Sequence, residues 1–301
     1  MIDDKFTAII GLGRVGSALA LLLARQGRRR LRVYDRNREK IEALLTRLPA
    51  GAEVGVATGP EDAAAGAGLL FIAVQDRFLG PVAENLARDV DDCGGLMVAH
   101  LSGALTAMEV LAPLHRRGAR VFSLHPLQSL ADVEGAVRGL AGSYFSFEGE
   151  REALPAARQV VSELDGRLVE LAGGDKVLYH AAAVVASNFF IALEDMAINL
   201  MSGIGVDSET ARQMLLPLIR GSFENLERVS PLEALTGPIV RGDDQTVAAH
   251  LEALREKAPR YLEAYRLLAG LNIDLARRRG EIDYEDFPSL GLKAPAVEDE
   301  A

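Results

Sequence analysis

The sequence predicts an α/β fold with a doubly wound parallel sheet, followed by an all-helical domain. Three observations predict it: a glycine-rich loop directly follows an apolar strand, short apolar segments alternate with helical ones up to residue 172, and only helical patterns follow. The sheet domain is therefore expected over residues 1–172 and the helical domain over residues 173–287. Residues 288–301 are acidic and are expected to form a short mobile tail.

The glycine-rich loop connects an apolar strand at residues 6–10 to an apolar helix that ends near residue 26. It has the pattern G-x-G-x-x-G and consists of Gly11, Leu12, Gly13, Arg14, Val15 and Gly16. In a dinucleotide-binding unit the first glycine permits a tight turn, the second lets a pyrophosphate approach the backbone, and the third lets helix and strand pack closely. The helix N-terminus adds free N–H groups for the phosphates. The loop therefore indicates a Rossmann domain that binds a dinucleotide.

The second strand, at residues 31–34, ends on Asp35, nineteen residues beyond Gly16. At this place a dinucleotide-binding fold carries the carboxylate that accepts the ribose hydroxyls. Asp35 would repel a 2′-phosphate and so favours NAD, whereas Arg36 and Arg38 could accept that phosphate. The cofactor is predicted to be NADP or NAD, and the sequence leaves this choice open.

Six further strands are predicted, at residues 52–57, 69–74, 95–99, 121–124, 144–147 and 168–171. Helices are predicted around them, at residues 36–48, 81–88, 106–117 and 154–164. Candidate site residues follow the strand ends: Val74 and Gln75 are assigned to the cofactor, and Ser102 and His125 to catalysis. Since ligands of doubly wound sheets bind outside the carboxyl ends of the strands, these residues are expected at one edge of the sheet.

The helical domain begins with one long, largely apolar helix predicted over residues 176–201. It is expected to be buried, and Lys176, His180 and Asn188 fall on its polar stripe. An exposed first-turn lysine is the alternative interpretation of Lys176, and a satisfied core amide is that of Asn188. Further helices are predicted at residues 208–229, 243–257 and 259–279.

Composition and charge argue against several other classes of protein. The net charge of −10 disfavours nucleic acid as a main partner. No apolar run is expected to span a membrane and no signal peptide precedes the first strand, so a cytoplasmic location is predicted. The single cysteine, Cys93, follows two aspartates and is expected to be an inert surface thiol. No metal is predicted, since no carboxylate–histidine spacing typical of a metal site occurs.

Four stretches of the chain resemble a known protein family. They are residues 100–104, 123–128, 176–188 and 235–243, which read HLSGA, SLHPLQ, KVLYHAAAVVASN and LTGPIVRGD. They are similar to NAD(P)-dependent oxidoreductases in which a Rossmann domain precedes a helical domain of the 6-phosphogluconate-dehydrogenase type. Within that superfamily the chain resembles the bacterial Rossmann-like and DUF2520 domain-containing proteins. The resemblance covers nearly the whole chain and implies the same two-domain fold.

Two related families imply roles for individual residues. His125 matches the histidine with which prephenate dehydrogenases take the substrate hydroxyl proton, and Ser102 lies where those enzymes keep a substrate-side serine. Lys176 matches the lysine of ketopantoate reductases at the start of the long helix. Those enzymes have an asparagine one turn later, where this chain has His180, and Asn188 lies two turns further along.

The resemblance implies an enzyme that transfers hydride between a nicotinamide cofactor and a small keto or hydroxy acid. Lys176 or His125 would supply the proton, and His180 is grouped with them as a catalytic candidate. Ser102 and Asn188 would position the substrate. Arg241 would bind a substrate carboxylate.

Two other functions remain open at this point, and the chain is expected to form a homodimer. The alternatives are an imine reductase of the pyrroline-carboxylate reductase kind and a non-catalytic dinucleotide-binding regulator. A homodimer is predicted, because the long apolar helix has more hydrophobic surface than a small helical domain can cover. The expected partners are thus a small-molecule substrate and a second copy of the chain.

Overall fold

The computed structural model describes residues 5–26, 30–280 and 282–294. They form two compact units that divide between Asn188 and Phe189, so the first turns of the predicted long helix belong with the sheet. The end of the predicted mobile tail lies outside the described residues. Its first part is packed, because residues 288–290 form a turn of 3-10 helix in which Leu290 is fully buried.

The described part of the first unit contains one eight-stranded sheet with the strand order β3-β2-β1-β4-β5-β6-β7-β8. The strands are β1 (Thr7–Ile10), β2 (Leu31–Tyr34), β3 (Val54–Val56), β4 (Leu69–Ile72), β5 (Met97–His100), β6 (Arg120–Pro126), β7 (Tyr144–Gly149) and β8 (Arg167–Glu170). The chain leaves β3 for the other side of the sheet, so the order reverses between β1 and β4. At such a switch point the loops after the two strands diverge and leave a crevice for a ligand. The predicted doubly wound sheet is confirmed.

Helices cover both faces of this sheet. They are α1 (Arg14–Arg25), α2 (Arg38–Leu45), α3 (Pro60–Ala64), α4 (Asp76–Asp89), α5 (Ala107–His115), α6 (Val133–Leu140) and α7 (Leu154–Glu163). A further helix, α8 (Lys176–Val184), follows β8. One buried apolar cluster joins the sheet to α1, α2, α6 and α7, and a second joins it to α3, α4 and α5. Cys93 is buried in the second cluster, so the expected surface thiol is a core residue.

One strand runs against the predicted direction: β7 is antiparallel to β6. A parallel neighbour requires the connection to carry the chain back along the full strand. The connection over residues 127–143 instead begins and ends at one edge of the sheet, where the Leu127 N–H donates to the Tyr144 carbonyl at 2.9 Å.

Helix α4 begins at Asp76, five residues before the predicted start at Pro81. A proline inside a helix removes one backbone donor and strains the preceding turn, which is why the sequence pattern favours a start there. Here the apolar residues Leu79, Ala83 and Leu86 are all buried against the sheet. Their burial outweighs the lost hydrogen bond, and the helix N-terminus lies directly after β4.

The long predicted helix is interrupted. A 3-10 turn (Gly173–Asp175) precedes α8, and a π-helical turn (Val185–Phe189) separates α8 from α9 (Phe190–Ser202). The prediction that this helix is buried is also wrong, since Val177 is 69% exposed and Leu178 is 76% exposed. By length and composition alone, the helical stretch Gly173–Ser202 could cross a membrane, contrary to the expectation that no apolar run in the sequence would do so.

The second unit is helical, as predicted. Its remaining helices are α10 (Ser208–Arg228), α11 (Pro231–Ala234), α12 (Asp244–Lys257) and α13 (Leu262–Arg277). Val247, Ile273, Phe287 and Leu290 form its fully buried centre, between α12, α13 and the last described turn. Helix α10 packs against α9, where the rings of Phe190 and Phe223 meet edge to face at 5.2 Å.

Candidate active site

The glycine-rich loop has the geometry that each of its glycines was expected to provide. Gly11 has φ +97°, and a Cβ there would lie 2.6 Å from the Ala73 carbonyl oxygen. A Cβ on Gly16 would lie 2.0 Å from the Gly11 carbonyl oxygen, so α1 and β1 could not pack as they do. A Cβ on Gly13 would meet nothing within 4 Å. Gly11 and Gly16 are therefore required by the fold, whereas Gly13 leaves open space beside the N-terminus of α1.

Asp35 holds this loop in place. One carboxylate oxygen accepts a hydrogen bond from the Leu12 N–H at 2.7 Å, and the other accepts from the Asn37 N–H at 2.8 Å. Lys40 places its ammonium 3.8 Å from the first of these oxygens. Asp35, which was predicted to accept the ribose hydroxyls, thus accepts hydrogen bonds from two backbone amides, and these offset part of its negative charge.

A cavity of about 350 Å³ opens beside the loop at the switch point between β1 and β4. Its lining includes Gly11, Gly13, Asp35, Arg36, Lys40, Val74, Gln75, Arg77 and Phe78. The guanidinium groups of Arg36 and Arg77 lie 5.3 Å and 4.7 Å from the centre of the Phe78 ring. Arg14, by contrast, is exposed and donates to the Leu130 carbonyl at 3.0 Å. The cavity therefore combines apolar walls with three cationic side chains.

Ser102 follows β5 and is fully occupied by protein partners. Its hydroxyl donates to the Asp76 carboxylate at 2.7 Å and accepts from the N–H groups of Ala104 and Leu105 at 3.3 and 3.2 Å. The residue is 6% exposed. These bonds tie the loop after β5 to the N-terminus of α4, so the hydroxyl fixes the shape of the strand ends.

Lys176 is completely buried, which excludes the exposed-lysine interpretation. Its ammonium donates to the Ser102 carbonyl at 3.0 Å and to the Ser123 hydroxyl at 2.5 Å. Burial lowers the pKa of Lys176, while the carboxylates of Glu148 and Asp76 act in the opposite direction. The lysine therefore joins the ends of β5 and β6 to the first turn of α8.

His125 and Tyr179 form a pair next to this lysine. The Nδ1 atom of His125 lies 3.0 Å from the Tyr179 hydroxyl, and the two rings meet edge to face at 5.7 Å. The His180 ring lies 5.9 Å from that of His125, also edge to face. Gly103 makes room for both histidines, because a Cβ there would lie 2.9 Å from His125 Nε2 and 2.5 Å from His180 Nδ1.

Two histidines of this region, His100 and His125, are neutral at physiological pH. Burial, followed by the nearby Lys176 cation, lowers the pKa of His100 to about 3 and that of His125 to about 4. The His100 Nδ1 atom accepts a hydrogen bond from the Ser102 N–H at 3.1 Å, which requires an unprotonated nitrogen. The cluster thus presents neutral donors and acceptors around one buried cation.

This charge state predicts a loss of stability in acid. Because the pKa of His100 is lower in the folded than in the unfolded state, unfolding takes up a proton below about pH 6.5. The free energy of unfolding should therefore fall by about 2 kcal/mol, through this residue alone, between about pH 6.5 and about pH 4.5. Urea denaturation of the wild type and of His100→Gln at both pH values measures the difference. An equal pH dependence in the two proteins would contradict it.

Other predicted residues lie elsewhere. Asn188 is exposed and sits in the π-helical turn, so the expected burial of this amide is wrong. Arg241 is exposed and belongs to the helical unit. Sequence reasoning missed Tyr179, although it stands three residues after Lys176 on the same face of a helix. Within the described ranges, no group of three or more His, Cys, Asp or Glu side chains could hold a metal ion.

The fold and the loop place the chain in the class of Rossmann α/β proteins with a C-terminal helical domain. A Rossmann-like domain model matches residues 5–126, and the model of a domain of unknown function, DUF2520, matches residues 143–271. Both matches agree with the resemblance found in the sequence, and together they span most of the chain. A search of curated proteins finds no significant match.

Solved structures share this architecture over nearly the whole chain. A protein from Bacteroides fragilis described as an NADP oxidoreductase is 21% identical with a TM-score of 0.70, covering 89% of this chain and 98% of the other. A reductive aminase from Aspergillus terreus, in complex with NADPH and ethyl-5-oxohexanoate, is 22% identical with a TM-score of 0.65, covering 93% and 96%. Pyrroline carboxylate reductase from Plasmodium falciparum with NADP bound is 14% identical with a TM-score of 0.56, covering 92% and 100%. At these identities the likeness establishes the fold.

Proposed function

We propose that this protein is an NADPH-dependent reductase that transfers hydride to a small molecule with a C=N or C=O bond. One observation carries the proposal: the open Gly13 loop, the cation-lined cavity and the Lys176–His125 cluster all lie at the edge of the sheet where the parallel strands β1, β4, β5 and β6 end. The structural neighbours support it, since all three descriptions name NADP or NADPH.

The protein's own residues account for most of the cofactor site. The pyrophosphate would lie over Gly13, where the N-terminus of α1 supplies N–H groups. The adenosine end would occupy the 350 Å³ cavity, with Phe78 as an apolar wall. The ends of β4 and β5 would then face the nicotinamide, which supplies the hydride when bound. Val74 and Gln75 follow β4 and line the same cavity.

NADPH is favoured over NADH by the charge of the cavity. Arg36, Lys40 and Arg77 line it, and the one carboxylate among the lining residues, Asp35, already accepts two backbone N–H bonds. A 2′-phosphate therefore meets cations and a partly neutralised carboxylate. Arginine is well suited to phosphate because its guanidinium donates two parallel hydrogen bonds.

Arg36→Ala should weaken NADPH binding by about 10- to 100-fold, as expected for the loss of a charge-assisted phosphate contact. NADH binding should change little, since NADH lacks the 2′-phosphate. Arg38 was the other possible phosphate acceptor in the sequence, but it does not line the cavity, is 90% exposed and pairs with Glu42 at 3.3 Å, so Arg38→Ala is the matched control. Fluorescence titration with both cofactors measures the effect. Equal losses for NADPH and NADH would show that Arg36 does not contact the phosphate.

An imine fits the substrate side better than a keto acid. A keto acid carries a carboxylate that requires a cation, and the buried Lys176 already donates to two protein oxygens. His125 and Tyr179 offer uncharged hydrogen-bonding groups instead. Reduction of a keto acid would need a cation from elsewhere, and Arg241 is the residue proposed for that role. Ketopantoate-like chemistry, in which the lysine contacts substrate, has no support from this geometry.

Consumption of NADPH with a panel of probes tests the function. The panel contains 3,4-dihydroisoquinoline and 1-pyrroline as imines, cyclohexanone as a ketone, and 2-oxoisovalerate as a keto acid. Turnover of the imines above the keto acid is expected. Turnover of the keto acid alone would favour the keto-acid reductase. Tight NADPH binding with no turnover of any probe would leave the non-catalytic regulator.

We infer a homodimer from the exposed apolar side chains of the helices. Val177, Leu178, Ile191, Leu218 and Leu267 are each more than 60% exposed. Apolar patches of this extent usually mark an interface with protein or membrane. Light scattering should give twice the mass of one chain, and Leu218→Glu should shift the protein toward monomers. A monomeric wild type, or one recovered in the membrane fraction, would contradict the inference.

A further inference from the structure

The His125–Tyr179 pair is a part of the cluster that still has polar groups to offer a ligand. Lys176 is fully covered and donates to the Ser102 carbonyl and the Ser123 hydroxyl. The Ser102 hydroxyl itself has three protein partners. His125 and Tyr179, by contrast, are both partly exposed. A group that hands a proton to substrate must be able to touch it, which favours this pair over the lysine.

The first turn of α8 and the end of β6 fix the pair. Lys176 and Tyr179 stand three residues apart on one face of α8, so anchoring the lysine also sets the position of the tyrosine. His125 belongs to β6 and keeps its ring between Tyr179 and His180 by edge-to-face contacts. The 3.0 Å separation of Nδ1 and the hydroxyl is within hydrogen-bonding distance. The two groups are thus held together by independent elements.

We propose that Tyr179 is the proton donor of the reaction and that His125 orients and reprotonates it. The inference rests on the proposed reductase function. As hydride arrives at the substrate carbon, the π bond to the heteroatom breaks and its electron pair takes the proton of the Tyr179 hydroxyl. The phenolate regains a proton from His125 Nδ1, while Nε2 of the same ring takes one up from solvent. The imidazole changes tautomer, and the net reaction consumes one hydride and one proton.

The ionisation of the two groups suits these roles. Burial raises the pKa of Tyr179, so its hydroxyl keeps the proton at neutral and mildly alkaline pH. Burial, then Lys176 and His180, lowers the pKa of His125 to about 4, so its ring is neutral and can carry the proton on either nitrogen.

Two probes separate a proton donor from a residue that only shapes the site. 3,4-Dihydroisoquinoline at alkaline pH is a neutral imine that must gain a proton on reduction. The N-methyl-3,4-dihydroisoquinolinium ion already carries its positive charge and is reduced by hydride alone. Single-turnover rates of NADPH oxidation are measured for both probes with the wild type, with Tyr179→Phe, and with Tyr144→Phe, a control at an exposed tyrosine.

Tyr179→Phe should slow reduction of the neutral imine about 100-fold, as is typical when a general acid is lost. Its rate with the N-methyl ion should stay near that of the wild type. His125→Phe should reproduce this pattern in weaker form, and His125→Asn should recover part of the rate by placing an amide near Nδ1.

Equal losses of Tyr179→Phe on both probes would show a structural role and overturn the inference, as would no loss on either. A wild type that binds NADPH but reduces neither probe would instead overturn the proposed function itself. The two failures are therefore distinguishable in one set of measurements.

Discussion

A Gly13→Val variant is expected to fold normally and to lose affinity for NADPH by more than about 100-fold, since a side chain there would separate the pyrophosphate from the α1 N-terminus. Nothing in the protein lies within 4 Å of a Cβ at Gly13, and its φ of −72° suits any residue. The variant should therefore melt at the temperature of the wild type. Fluorescence titration with NADPH, together with a thermal melt, measures both quantities.

Gly16→Ala provides the comparison for this variant. Its Cβ would lie 2.0 Å from the Gly11 carbonyl oxygen, so stability and binding should be lost together. The contrast between the two glycines distinguishes a ligand-facing position from one that packs the fold. Normal NADPH affinity in Gly13→Val would mean that the loop does not bind the pyrophosphate.

Lys176→Met is expected to lower the free energy of unfolding by about 2–4 kcal/mol, the usual cost of removing one partner from a buried polar network. The methionine would leave the Ser123 hydroxyl without its donor, and the Ser102 carbonyl would keep only the Ser123 hydroxyl as a donor, at 3.3 Å. It would also remove the cation that faces Glu148 and Asp76. Urea denaturation of the wild type and the variant measures the change.

Two further variants test whether the loss of stability in Lys176→Met comes from the buried ammonium. Lys176→Arg should not restore stability, because the lysine is fully buried and leaves no room for a larger head group. Lys40→Met is the control and should change stability little, since Lys40 is half exposed and its ammonium lies 3.8 Å from the Asp35 carboxylate. An unchanged stability of Lys176→Met would contradict a structural role for the ammonium. Such a result would favour Lys176 as the proton donor.

The features predicted well from the sequence are those set by local chemistry. The strand, the glycine turn and the helix after it depend on apolar periodicity and on the lack of a side chain at Gly11 and Gly16, and both can be read along the chain. The placement of Ser102 and His125 at one edge followed from the rule that parallel strands end on the same side. These inferences require no knowledge of long-range contacts.

The features that the sequence did not reveal depend on distant partners. Lys176 is buried because Ser102 and Ser123, 74 and 53 residues away, supply oxygens for its ammonium. The apolar neighbours of Asn188 suggested burial, yet hydrophobic composition does not say what covers a helix, and the amide is exposed in a π-helical turn. The same applies to β7, whose antiparallel pairing with β6 no local pattern in the sequence specifies.

For Asp35, the sequence predicted the position of the residue but not its hydrogen bonds. Its position after β2 was predicted, and it is confirmed by the structure. Its two bonds to the Leu12 and Asn37 amides depend on how the loop folds over the strand end, which no spacing encodes. That detail shifts the expected cofactor from an open choice toward NADPH.

Titration of the wild-type protein with NADPH and NADH is the most direct test of the account. The cavity lined by Arg36, Lys40 and Arg77 predicts saturable NADPH binding in the micromolar range, and weaker binding of NADH. Failure of both cofactors to bind at millimolar concentration would contradict the dinucleotide site, and with it the proposed reductase.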